Sequence, residues 1–181
     1  MKKHVLFIQG GGEDGYTADK KMVDSLQTAL GNGFEVSYPA LKSDESKPDF
    51  GWPEQIGKAI DDMKGDLILV GHSLGASLIL KYLSENKIQK KINGIFLLAT
   101  PFWSGEEDWV KGLMLKNDFP GKLPDDVPIS MHYNRDDEEV PFDHLDLYAS
   151  KLSQATIHKM KSGGHQFNND LRFLAADIKN L

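Results

Sequence analysis

The stretch LILVGHSLGASLIL at positions 67–80 decides the fold of this chain. Its first four residues are apolar, which predicts a buried strand, and the residues from Ala76 onward predict a helix. Between them lies a Gly-x-Ser-x-Gly motif with Ser73 at its centre. This succession is typical of a sharp turn that presents a nucleophilic serine at the end of a strand. Gly71 and Gly75 agree with that interpretation, because a Cβ two residues from the serine would collide where strand and helix leave the turn.

Strand-like and helix-like segments alternate along the rest of the chain. Apolar runs predict strands at 4–9, 34–38, 67–70, 95–99 and 129–133, and alternating polar and apolar residues predict an edge strand at 156–160. Amphipathic periodicity predicts helices at 19–30, 53–64, 76–83, 108–115, 142–152 and 170–180. Such alternation predicts an α/β fold with a single parallel six-stranded sheet and helices on both faces. No repeat or linker interrupts the chain, so we expect one domain over residues 1–181.

The composition argues against several classes of function. Of the 181 residues, 40% are hydrophobic and 27% charged, as in globular proteins. The net charge is -6 and the basic residues are scattered, which argues against a nucleic-acid or membrane surface. The absence of cysteine excludes disulfides, thiolate catalysis and Cys-ligated metal. The apolar run near the amino terminus is too short for a signal peptide, so we expect a cytoplasmic protein.

A nucleophilic serine needs a base with a pKa near 7, and the base needs an orienting acid. Catalytic groups of parallel α/β sheets lie beyond the carboxyl ends of the strands, so each partner should directly follow a strand. His165 follows the last predicted strand in a Ser-Gly-Gly-His segment, and we predict it as the base. His132, near the end of the fifth strand, is the weaker alternative. The remaining histidines are expected to have other roles: His4, His72, His144 and His158.

The acid is expected in the segment NRDDEEVP at 134–141, which follows the fifth strand. Asp137 lies in an Asp-x-x-Val-Pro sequence, and we predict it as the group that orients the base. Asp136 is the alternative. The resulting order of serine, aspartate and histidine along the chain is that of α/β-hydrolases rather than that of chymotrypsin or subtilisin.

A glycine-rich turn, QGGGEDG at 9–15, follows the first strand. Its Gly-x-Gly-x-x-Gly spacing matches the dinucleotide fingerprint, which would suggest a Rossmann-type nucleotide-binding protein. Two acidic residues within the turn would repel a pyrophosphate, and the second strand ends without an acid for the ribose. In a hydrolase, the same turn supplies one backbone N–H to an oxyanion hole, and the residue after the nucleophile, Leu74, supplies the other. We expect Gly11 to be the donor from the turn, with Gly12 as the alternative.

These motifs together resemble the α/β-hydrolase superfamily, and within it the small uncapped serine hydrolases of the retinoblastoma-binding type. The resemblance covers nearly the whole chain and rests on the glycine-rich turn, the serine motif, Asp-x-x-Val-Pro at 137–141 and Gly-Gly-His at 163–165. It implies a minimal fold without a cap domain and an enzyme of the carboxylesterase or thioesterase type. The substrate would be a small ester, thioester or amide that forms an acyl-enzyme, with no metal or organic cofactor.

The resemblance admits one alternative function and shows one departure from the family pattern. The superfamily includes non-hydrolytic members, so a binding protein with little turnover on the same scaffold is an alternative. Gln9 also occupies a position before the oxyanion turn where histidine is common, which leaves the orientation of that turn undecided.

The segment 101–126 follows the fourth strand and is too short for a cap domain. Phe102 and Trp103 come just past the end of that strand. We expect both to line a shallow, open pocket for a small-molecule acyl substrate. The sequence does not identify whether there is a protein partner, nor which acyl or leaving group is used.

Overall fold

The computed structural model describes residues 2–181, and strands alternate with helices along them. The strands are β1 (Lys3–Ile8), β2 (Phe34–Ser37), β3 (Leu67–His72), β4 (Ile92–Leu98), β5 (Ile129–Asn134) and β6 (Ala155–Met160). The helices are α1 (Gly15–Leu30), α2 (Trp52–Asp62), α3 (Leu74–Glu85), α4 (Asp108–Lys111), α5 (His144–Lys151) and α6 (Arg172–Lys179). Short 3₁₀ turns lie at Phe119–Lys122 and Phe167–Asn169.

All six strands are parallel and form one sheet in the order β2-β1-β3-β4-β5-β6. The predicted α/β fold with a single parallel six-stranded sheet is therefore confirmed. Every residue of β3 is buried, because this strand lies inside the sheet and is covered on both faces. β6 forms one edge, as its alternation of polar and apolar residues predicts.

Alternating side chains divide the apolar core between the two faces of the sheet. Leu69 belongs to the cluster that packs under α2 and α3, together with Ile56 and Leu80. Its neighbour Val70 belongs to the cluster under α1 and α6. Burial of apolar area at about 25 cal/mol per Å² on both faces is the main term that holds the helices to the sheet.

The order of the strands creates a crevice at one end of the sheet. β1 lies between β2 and β3, so the chain leaves β1 toward one edge and leaves β3 toward the other. The loops that follow these two strands therefore separate, and a crevice opens between them at the carboxyl ends. The glycine-rich turn and the serine motif lie on its two sides.

Several boundaries differ from the prediction, and three of them lie near the crevice. α1 begins at Gly15, one turn early, so that Asp19 lies inside a helix. β3 continues to His72, because the first two residues of the turn still pair with β4. α4 ends at Lys111 rather than at residue 115, and the next residue, Gly112, packs directly against the backbone of Pro48.

Between β4 and β5, the described chain contains only α4 and one 3₁₀ turn, so the fold has no cap domain. Within residues 2–181, no helix combines the length and the apolar composition that crossing a bilayer would require.

The contact at Gly112 gives a test of the packing between α4 and the loop after β2. A Cβ at this position would lie 1.9 Å from the carbonyl oxygen of Pro48, so Gly112→Ala must push the two segments apart. We expect the free energy of unfolding to fall by about 1–3 kcal/mol, as for other overpacked sites. Gly121→Ala is the matched control, because a Cβ there meets no atom within 4 Å. Equal denaturation midpoints for the two variants would contradict this account.

Candidate active site

Ser73 lies at the apex of a strained turn between β3 and α3. Its φ is 50° and its ψ is -122°, a conformation that non-glycine residues rarely adopt. A hydrogen bond of 2.8 Å from its amide to the Leu98 carbonyl holds the turn against β4. A Cβ at Gly71 would lie 2.7 Å from the Ala76 Cα, and one at Gly75 would lie 2.2 Å from the Gln9 carbonyl oxygen. The predicted collisions on both sides of the serine are therefore confirmed.

His165 lies in a loop after β6 that several hydrogen bonds hold in place. The amides of Gly163 and Gly164 donate to the carboxylate of Asp136, at 3.2 and 3.0 Å. The Asn134 side chain donates to the Gly164 carbonyl at 2.7 Å. Both glycines have positive φ, 147° and 58°, so the loop needs residues without a Cβ here. The loop therefore presents the imidazole in a defined position.

The carboxylate of Asp137 contacts the imidazole of His165. Its two oxygens lie 2.9 and 3.1 Å from His165 Nδ1. One of these oxygens also accepts hydrogen bonds from the amides of Glu139 and Val140, at 2.8 and 2.9 Å. The carboxylate is thus fixed behind the ring. Asp136, the alternative acid, contacts the loop backbone instead.

The charges around the pair shift both pKa values. Burial raises the pKa of Asp137, but the hydrogen bonds from His165 and the two amides outweigh burial and lower it overall. Burial lowers the pKa of His165, but the hydrogen bond and charge of Asp137, with a smaller effect of Glu139, raise it overall. Nδ1 faces a carboxylate and therefore carries a proton, so Nε2 is the nitrogen that can accept one.

Ser73 and His165 line one cavity of about 1000 Å³. Among residues 2–181, no hydrogen bond joins the Ser73 hydroxyl to the imidazole; the nearest acid to Nε2 is Glu139, at 3.8 Å. In unliganded enzymes such bonds are often long and shorten when substrate binds. The arrangement therefore allows proton transfer from Ser73 to Nε2 once the pocket is filled.

The predicted oxyanion donors, Gly11 and Leu74, line the same cavity. They are neighbours, because a Cβ on Gly11 would lie 2.9 Å from Leu74 Cδ2. Within the described residues, neither amide donates a hydrogen bond to the protein. The preceding amide, that of Gly10, is not free, since it donates to Asp19 Oδ2 at 2.7 Å. The arrangement leaves the amides of Gly11 and Leu74 available to a bound group.

Gln9 holds the glycine-rich turn against the segment after β2. Its side chain is buried, and its Oε1 accepts a hydrogen bond of 2.9 Å from the Leu41 amide. The glutamine that replaces the common histidine therefore has an anchoring contact of its own.

Of the two aromatic residues expected in the pocket, only Trp103 lines the cavity. Its Nε1 donates to Ser77 Oγ at 2.9 Å, and its ring meets Trp109 edge to face at 5.8 Å. The expectation for Phe102 is wrong in its placement. The Phe102 ring packs edge to face on Tyr148 at 5.0 Å, where it covers apolar surface under α5.

His144 also lines the cavity, although its position in a helix argued against a role. The Phe102 amide donates to its Nδ1 at 3.0 Å. Nδ1 is therefore an acceptor, so the neutral ring carries its proton on Nε2. Burial lowers the pKa of His144, which favours this neutral form. The position of His144 at the start of α5, rather than after a strand, explains why a rule based on strand ends misses it.

His132, the alternative base, lies apart from this cavity. It is buried, and burial together with His158 lowers its pKa to about 3. In the described chain, one of its ring nitrogens lies within 4.8 Å of one possible ligand atom each of His158 and Asp177. The two imidazole rings stack at 4.2 Å with only 8° between their planes. Because ring-nitrogen lone pairs lie in the plane of each ring, lone pairs in two stacked, nearly parallel planes do not converge on one ion.

Comparison with known proteins identifies the family of the chain. The model of the serine hydrolase family matches residues 25–174, a range that contains Ser73, Asp137 and His165. No curated protein sequence matches the chain.

Several solved structures share the fold along nearly the whole chain. The thioesterase domain from the curacin biosynthetic pathway aligns with a TM-score of 0.76 and 17% identity, over 98% of this chain and 91% of that chain. Bromoperoxidase from Bacillus anthracis aligns with a TM-score of 0.73 and 13% identity, over 99% and 91%. Arabidopsis thaliana SOBER1 aligns with a TM-score of 0.71 and 15% identity, over 99% of each chain. The family match and this shared α/β-hydrolase fold together show that the chain belongs to the serine hydrolase family.

Proposed function

We propose that this hydrolase uses Ser73 as nucleophile, His165 as general base and Asp137 as the acid that orients the base. The observation that carries the proposal is the pair of contacts between Asp137 and His165 Nδ1, at 2.9 and 3.1 Å, beside a strained serine in the same cavity. Carboxylate, imidazole and hydroxyl in this relation form the arrangement that activates a serine for acyl transfer.

The reaction follows from the positions of these groups. Ser73 Oγ attacks the carbonyl carbon of the substrate and transfers its proton to His165 Nε2. The amides of Leu74 and Gly11 donate to the oxygen that becomes negative, and one such donor stabilises the transition state by about 3 kcal/mol. The imidazolium then gives its proton to the leaving group, and an acyl-enzyme remains. Water, deprotonated by the same imidazole, releases the acid by the reverse steps.

The charge of the cavity lining favours a small neutral or cationic substrate, which would be an ester, a thioester or an amide. No cap covers the cavity within the described chain. Four exposed acidic side chains line the cavity: Glu13, Asp14, Glu45 and Glu139. Lys42 is the one lysine among the lining residues. Their excess of negative charge disfavours polyanionic leaving groups such as phosphate-bearing thiols.

The first test of the proposal is covalent labelling. A fluorophosphonate should add once to the wild-type protein, because only an activated serine reacts with it readily. Ser73→Ala should remain unlabelled, as measured by intact mass. Ser84→Ala, on the same helix that follows the turn but outside the cavity, is the control and should label like the wild type. Equal labelling of the Ser73 variant would exclude this nucleophile.

Because Asp136 and Asp137 are adjacent, the same substitution at each position tests which carboxylate orients His165. Asp137→Asn should lower kcat by roughly 10³–10⁴-fold, because an amide no longer stabilises the protonated base. Asp136→Asn should lower kcat by less than about 10-fold, since that carboxylate contacts only the loop amides. Hydrolysis of a short-chain aryl ester measures both. A larger loss in the Asp136 variant would show that the assignment is off by one residue.

The charge on His165 makes the reaction dependent on pH. The base must be neutral to accept a proton, so activity should be full above the pKa of His165 and fall as pH decreases through it. This pKa is raised above the ordinary histidine value of 6.5, so the fall should begin at a higher pH than for an unperturbed imidazole.

Glu139 provides the control for this pH dependence. Its carboxylate lies 3.8 Å from His165 Nε2, and Glu139→Gln removes that negative charge. The acidic limb of the kcat/KM profile should then move to lower pH. The shift should be small and should shrink with added salt, because the Glu139 side chain is 72% exposed. Movement to higher pH would contradict the electrostatic account.

A further inference from the structure

A second histidine–aspartate pair lies behind the proposed triad. Asp19 on α1 and His72 at the end of β3 each have 1% of their side chain exposed. Asp19 Oδ2 lies 3.0 Å from His72 Nδ1, and the other ring nitrogen, Nε2, lies 3.0 Å from the His165 carbonyl oxygen. The same Oδ2 atom accepts the Gly10 amide at 2.7 Å. None of these contacts is used in the proposed reaction.

The hydrogen-bond partners of Asp19 and His72 indicate which atoms of the pair donate and which accept. The His165 carbonyl can only accept a hydrogen bond, so His72 Nε2 must donate. Asp19 Oδ2 already accepts the Gly10 amide, and it faces His72 Nδ1. Burial raises the pKa of Asp19, but hydrogen bonds from His72 and Gly10 outweigh burial and lower it overall. The carboxylate is therefore the acceptor, and both ring nitrogens of His72 donate.

The three hydrogen bonds connect parts of the site that come from distant positions in the chain. Gly10 directly precedes Gly11, the proposed oxyanion donor, and His72 directly precedes Ser73. The third contact reaches the backbone of His165 itself. The rings of His72 and His165 also lie next to each other, with centroids 4.6 Å apart. One buried ion pair thus contacts the oxyanion turn, the nucleophile strand and the loop of the base.

We propose that Asp19 and His72 form a positioning pair that sets the Gly11 amide and the His165 imidazole in their working positions around Ser73. The inference rests on the proposed function. The pair acts through its neighbours, because its side chains form hydrogen bonds to two backbone groups of the site. These groups are the Gly10 amide and the His165 carbonyl. A misplacement of about 1 Å in such groups is enough to lower turnover strongly.

Asp19→Asn tests the pair with almost no change in shape. An asparagine can present a single oxygen to both donors, but it removes the negative charge that faces the His72 imidazole. The contact with the imidazole therefore weakens, and with it the hold of the pair on the Gly10 amide and the His165 carbonyl. With 4-nitrophenyl acetate as the substrate, kcat should fall by at least about 10-fold while KM changes by less than about 2-fold.

A control separates positioning from a loss of stability. Gly57→Ala forces a Cβ to within 2.6 Å of the Tyr82 ring, between α2 and α3 and outside the cavity. This variant should lose thermal stability and keep the wild-type kcat at a temperature where it is folded. If Asp19→Asn has the wild-type kcat, or if Gly57→Ala at equal loss of Tm loses as much turnover, the positioning role is overturned.

His72→Gln gives a second, independent measurement. The glutamine amide can still donate to the His165 carbonyl but leaves Asp19 without its partner, so this single variant should also lose at least about 10-fold in kcat. In the double variant with Asp19→Asn, the loss should be no greater than that of the worse single variant, because both substitutions remove the same unit. If the two losses in kcat multiply in the double variant, the substitutions act independently and the proposed positioning pair is wrong. Labelling of Ser73 by a fluorophosphonate tests the proposed function separately, since it can succeed when these variants show no effect.

Discussion

The close approach of the serine turn to β1 is the constraint on which the rest of the site depends. Gly75 lies so near the end of β1 that a Cβ would come within 2.2 Å of the Gln9 carbonyl oxygen. This contact is possible because β1 and β3 are neighbours in the sheet. It places the glycine-rich turn, which follows β1, beside the amide of Leu74. Two segments more than sixty positions apart thereby form one concave surface.

Hydrogen bonds to backbone groups hold the polar side chains of this surface. Asp136 and Asn134 fix the loop of His165, and Gln9 fixes the turn through the Leu41 amide. These side chains lie at or just after the ends of strands that are buried in the apolar core. Free energy from apolar burial in the sheet thus stabilises the positions of groups that lie outside it.

The sequence predicted the sheet and the residues nearest its strand ends well. Five apolar runs and one alternating segment predict six strands, and the positions of Ser73 and His165 after β3 and β6 follow from that pattern alone. The prediction was weaker where a side chain could point either into the cavity or into the apolar core. Phe102 packs under α5 whereas Trp103 faces the cavity, and neither direction is encoded in the spacing of apolar residues. His144 lines the cavity from the first residue of α5, and a rule that places catalytic groups after strands does not predict such a position.

The sequence by itself determined the class of fold, the strained serine turn and the order of serine, aspartate and histidine. These features depend on local periodicity and on glycines that are required by short contacts, so a linear pattern contains them. Only the tertiary structure decided that Asp137 rather than Asp136 contacts His165 and that His72 joins Asp19 to two backbone groups. Those contacts join residues up to 93 positions apart. They depend on the conformation of the turn after β5 and on the packing of α1 against the sheet. Both are set only when distant segments of the chain meet.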